Sequence, residues 1–196
     1  MDIKLLFAIA AVVVLIIGYI PYFKDIFAKT TKPHAYTWLI WGITQGTATA
    51  VAFYGGANWG VLSLAGGTLL VAVVFLLSLK YGTKNITKSD TGILVLALLA
   101  IVVWWQTNNP LYAVLMVTAI DALGYIPTLR KSWSEPYSET LSFWFTMSLV
   151  TILTIFSLSE YNPLTLTYLG MLVVANIVVL VLCILRRRYV QKPVQG

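Results

Sequence analysis

Charge is scarce in this chain of 196 residues: only 10% of it is Asp, Glu, Lys or Arg. Soluble domains carry roughly 25%, so too few polar side chains exist to cover a surface facing water. Sulfur and imidazole are scarcer still. The single cysteine, Cys183, lies inside the last apolar run, which excludes an internal disulfide and a cysteine-based metal site. The one histidine, His34, stands in a loop beside Pro33, far from other ligand types, and reads as a surface residue. No metal cluster and no nucleophile–base group falls within the apolar runs, so the sequence implies no metal, no cofactor and no enzyme. A retinal protein is disfavoured too, because the final apolar run has no lysine for a Schiff base.

Apolar side chains are plentiful. Hydrophobic residues make up 59% of the chain and the mean hydropathy is +0.86. Apolar runs recur along the whole length, several near the ~20 residues that span a hydrocarbon core. The fold class expected is all-α integral membrane, with the lipid bilayer as its solvent and a plasma (inner) membrane as its location. Seven spans are expected, near 5–22, 36–54, 59–79, 91–106, 111–126, 141–158 and 164–185. All should be helices, since lipid offers no partner for free backbone groups and the runs lack barrel-like alternation. The fourth and fifth are short, and their ends should extend into flanking polar residues. The first run has the lysine-then-apolar order of a signal peptide but carries a repeated motif, and reads as a retained helix.

Basic residues alternate with the connections. Links after the first, third and fifth spans hold Lys24, Lys29, Lys32, Lys80, Lys84, Lys88, Arg130 and Lys131, and the tail adds Arg186, Arg187, Arg188 and Lys192. The other turns hold none, and only Lys4 falls on their side. The positive-inside rule therefore places the N-terminus outside and the C-terminus in the cytoplasm. Topology accounts for the formal +6 charge without a nucleic-acid partner.

A repeat is visible as well. "GYIP" occurs at 18–21 and again at 124–127, an offset of 106. A second pattern, Pro33-x3-Thr37-x3-Trp41, recurs as Pro136-x3-Thr140-x3-Trp144, an offset of 103. Both motifs sit where one helix ends, a charged loop follows and the next helix begins. Helices one to three and five to seven then form two parallel copies, joined by a single helix that makes both cross in the same direction. The divisions expected are a first repeat over 1–82, a linker helix over 83–107, a second repeat over 108–188 and a cytoplasmic tail over 189–196.

Through "GYIPYFKDIFAKTTKPHAYTWLIW" and "GYIPTLRKSWSEPYSETLSFW" the chain resembles the SWEET and PQ-loop transporter superfamily. The glutamine of the PQ signature is replaced by Tyr22 in one copy and Thr128 in the other. The resemblance implies two three-helix bundles around a central path, and alternating-access movement of a small polar solute such as a sugar, an amino acid or a vitamin-like molecule. It is compatible with a monomer or a homo-oligomer. A non-transporting membrane receptor or scaffold on the same fold is the alternative.

Several residues carry the candidate chemistry. Pro21 and Pro127, with Gly18 and Gly124 one turn earlier, are either hinges or simple helix ends. Thr37, Trp41 and Gln45 share one helix face, matched by Thr140, Trp144 and Ser148. These faces either line a pathway or anchor and join helices. Asp121 is the one acid inside a span, on a stripe with Thr118, Tyr125 and Thr128, while its repeat counterpart is Leu15. A charge there costs on the order of 3 kcal/mol on insertion scales. It reads as a proton-coupling or substrate-binding carboxylate, or as a structural acceptor. Asn176, mid-span in the seventh helix, matches a pocket asparagine of the sugar transporters or serves as a helix–helix link. By ~1.5 Å of rise per residue, Gln45, Asp121 and Asn176 fall at similar depth. Trp104 and Trp105 read as aromatic-belt anchors.

Overall fold

Backbone groups in a chain this apolar have few outside partners, and helices satisfy them internally. The computed structural model describes residues 2–29, 31, 33, 35–82, 88–107, 109–134 and 136–191. His34 lies outside these, as do Lys32, Lys84 and Lys192, and the side chains of Trp104, Trp105 and Pro127 are not among those described. Among the described residues there are seven α-helices, two short 3-10 turns and no strand. The helices are α1 (Ile3–Phe27), α2 (Ala35–Tyr54), α3 (Val61–Tyr81), α4 (Lys88–Thr107), α5 (Pro110–Ser134), α6 (Leu141–Ser157) and α7 (Pro163–Arg186).

Local sequence sets the ends. Asp2 caps α1 by accepting from the Lys4 N–H. Asn–Pro pairs open α5 and α7: Asn109 accepts from Leu111 N–H, and Asn162 accepts from the N–H groups of Leu164 and Thr165, with proline in the first helical turn. The short fourth and fifth runs recruit polar flanks and become helices of 20 and 25 residues. The two internal prolines are not helix ends. Helix α1 continues past Pro21 to Phe27 and α5 past position 127 to Ser134. A proline removes one donor from the ladder, and here the helices run on past that gap.

The bundle is apolar outside, and its interior buries polar side chains among apolar ones. Ile9, Val13, Ile16 and Ile20 on α1, Leu69, Val73 and Leu76 on α3, and Val174, Val178 and Val181 on α7 are exposed, while Thr44, Ser63, Asp121, Thr154 and Asn176 are buried. The helices α1 and α7, and the run Asn58–Tyr81, are long and apolar enough to cross a membrane; Pro110–Tyr125 and Leu141–Ser157 are shorter apolar helices. Integration into a membrane follows from this pattern.

Helix α3 packs against both α1 and α2, and α7 packs in the same way against both α5 and α6. The two sets meet through α1 on α6 and α2 on α5, while α4 lies against α5 and α2. One end of the bundle gathers the last turns of α1, α3 and α7. There Thr140 donates to Asp25, Gly82 abuts the Pro33 carbonyl, and Arg187 donates to the carbonyls of Pro136 and Glu139. The arginines closing α7 thus pin the α5–α6 connection as well as adding charge. At the opposite end Lys4 donates to the Ser159 carbonyl at 3.1 Å, and Asn162 donates to the Gly55 carbonyl at 2.8 Å.

Gly18 and Gly124 occupy equivalent places in the two contacts between sets. A Cβ on Gly18 would stand 2.6 Å from Thr146 Cγ2 on α6, and one on Gly124 would stand 2.9 Å from Trp41 Nε1 on α2. Small residues let helices approach where no hydrophobic force separates helix from lipid. Gly18→Ala and Gly124→Ala are each expected to destabilise the protein by about 1–3 kcal/mol through overpacking. Gly170→Ala, with nothing within 4 Å of its Cβ, should leave the thermal midpoint in detergent unchanged or raise it. Equal midpoints for all three variants would remove the close-packing role.

Candidate functional site

Between the two helix sets lies a cavity of about 90 Å³, lined from α1, α2, α3, α5, α6 and α7. That volume holds several waters. The lining repeats in register. Leu15 and Tyr19 of α1 stand at the GYIP offset from Asp121 and Tyr125 of α5, and all four line the cavity. Ser63, Leu64, Gly67 and Val71 of α3 recur at one constant offset as Tyr168, Leu169, Leu172 and Asn176 of α7.

Asp121 is 2% exposed. The Thr44 hydroxyl of α2 donates to its Oδ1 across the contact between the sets, and Tyr168 of α7 lines the same cavity. No lysine, arginine or histidine is among the described lining residues. Asn176, 4% exposed, accepts from the Tyr125 hydroxyl at 3.4 Å, a long bond within the second set. Gln45 donates from Nε2 to the Leu64 carbonyl at 3.2 Å and lies against Gly67, so it ties α2 to α3 while also lining the cavity. Ser63 and Thr154 place their hydroxyls 2.6 Å apart and link α3 to α6.

Below this polar level, towards the end that carries the GYIP motifs, six aromatic side chains form a closed ring. Tyr22 contacts Trp38, Trp38 contacts Trp41, Trp41 contacts Tyr125, Tyr125 contacts Trp144, Trp144 contacts Phe143, and Phe143 stacks on Tyr22. Centroid separations run from 5.2 Å for Tyr22–Phe143 to 6.0 Å for Tyr125–Trp144. Trp144 Nε1 donates to Glu139 at 3.1 Å. Trp41 Nε1 is buried with no acceptor among the described residues.

Five residues singled out in the sequence, Trp41, Gln45, Asp121, Trp144 and Asn176, therefore share one cavity. Ser148 does not. It is buried, but its hydroxyl donates to the Trp144 carbonyl at 2.9 Å, and the cavity side of α6 runs instead through Met147, Thr151 and Thr154. Thr37 and Thr140 also lie off the lining, as do Thr118 and Thr128 of the Asp121 stripe. Thr44, Tyr168 and Tyr19 were not anticipated. A signal for Tyr168 exists in the sequence, since it precedes Asn176 by eight residues and so shares its helix face.

The geometry defines a helical protein with membrane-length apolar helices and, between two sets of helices, a cavity with apolar, aromatic and polar side chains in its lining. In comparisons with family models, curated proteins and solved structures, nothing matches this chain.

If Thr44 is bound to Asp121 as the geometry indicates, Thr44→Val should cost about 1–3 kcal/mol in the native background. It should cost less when Asp121 is already Asn, with a coupling energy of at least about 0.5 kcal/mol in a double-mutant cycle. Strict additivity in thermal or denaturant unfolding would show that the two groups do not interact.

Proposed function

We propose that the protein is a small-solute membrane transporter or facilitator, with seven spans arranged as two parallel three-helix repeats joined by α4. The observation that carries this reading is the register of the cavity: equivalent positions of α1 and α5, and of α3 and α7, line it together. A tandem-repeat transporter holds its substrate at such an interface and opens it by moving one repeat against the other. The prolines inside α1 and α5 supply bending points beside the aromatic ring. Asp121 serves as the ionisable group of the site and couples solute movement to a proton. The N-terminus faces outward and the end bearing Arg186, Arg187 and Arg188 faces the cytoplasm.

The experiment is uptake into proteoliposomes with a panel of small polar solutes, with and without a pH gradient. Saturable flux is expected for at least one solute, and Asp121→Asn should abolish the gradient-driven part. Gradient-driven uptake that survives Asp121→Asn would end the coupling role. Saturable binding without flux, or copurification with one protein partner, would replace transport by a receptor or scaffold role.

A further inference from the structure

From the composition of the cavity wall we infer that the solute is a small organic cation whose charged head is a substituted ammonium, with Asp121 as its counter-ion. This rests on the transport reading for its setting and names the substrate class of that site. Two features of the wall lead to it. The first is charge. Among the described lining residues there is one carboxylate, which accepts from the uncharged Thr44 hydroxyl, and no basic side chain. A buried carboxylate away from water needs a compensating positive charge or a proton, and the lining supplies no cationic side chain.

The second is the wall beside that carboxylate. Trp38, Trp41, Tyr125, Phe143 and Trp144 line the same cavity, and Tyr125, between the two tryptophans, follows Asp121 by one helical turn. Aromatic walls with a carboxylate nearby bind quaternary and substituted ammonium groups, because the ring quadrupole attracts a weakly hydrated cation. A neutral sugar would leave the carboxylate uncompensated, and an anion would be repelled by it. The titratable groups facing Asp121 are the phenols of Tyr125 and Tyr168, so the ammonium and a proton compete for one carboxylate. Binding of the cation to the protonated form transfers that proton to solvent, which makes the two exchange partners.

The test titrates the full-length protein in detergent, by intrinsic tryptophan fluorescence, with choline and with its uncharged isostere 3,3-dimethylbutan-1-ol. Choline should bind saturably and at least tenfold more tightly than the isostere. Asp121→Asn should erase that preference with the thermal midpoint retained, and Asp121→Glu should keep it. Equal binding of the two probes, no binding of choline, or an unchanged preference in Asp121→Asn would each overturn the inference. Proteoliposome flux separates this from the transport reading. Flux of a neutral sugar without choline binding refutes the cation and leaves transport standing, whereas charge-selective choline binding without choline flux keeps the cation site and refutes transport.

Discussion

In lipid, burying apolar surface does not bring helices together, because acyl chains are as apolar as leucine. Helix contacts must come from close approach and from polar groups that have no better partner. The contact between α2 and α5 uses both within one turn: Gly124 admits Trp41, and Asp121 accepts from Thr44. The matching contact between α1 and α6 keeps the first device and lacks the second. Gly18 admits Thr146 and Met147, but Leu15 stands where α5 carries Asp121. The α2–α5 seam therefore carries the one buried carboxylate described, whereas the α1–α6 seam has the Thr140–Asp25 hydrogen bond at its end beside its packing.

The aromatic ring spans both seams. Tyr22–Phe143 crosses from α1 to α6 and Trp41–Tyr125 from α2 to α5. Separating the sets at that end breaks these two contacts, each worth about 0.5–1.5 kcal/mol beyond area burial. At the other end the links are hydrogen bonds, Ser63 with Thr154 and Asn162 with the Gly55 carbonyl. Phe7 of α1 also meets Phe156 of α6 at that end, with ring centroids 5.4 Å apart.

Much of this was legible in the residues. The GYIP offset placed Tyr19 and Tyr125 at matching sites, and both line the cavity. The isolation of Asp121 within an apolar run marked it as inward-facing, as it is. Ser148 was misplaced because the 103-residue offset aligns α6 to α2 in sequence but not in the side presented to the cavity. Gly18 and Gly124 looked like weak points in a helix, whereas three-dimensional contacts show them as points of close approach. The correspondence of α3 with α7 was hidden for another reason: Ser63 and Tyr168, or Val71 and Asn176, share a place and no chemistry. Thr44 carried no signal, since its value depends on a residue 77 positions away.

These mismatched pairs divide the cavity. Where both halves keep a similar side chain, as in Tyr19 and Tyr125 or Trp41 and Trp144, the result is aromatic wall. Along α5 and α7 the stronger polar group falls on the second half, Asp121 against Leu15, Asn176 against Val71 and Tyr168 against Ser63, while Gln45 of α2 lines the cavity from the first. The frame has two-fold character while its polarity does not. The one carboxylate among the described lining residues lies on α5.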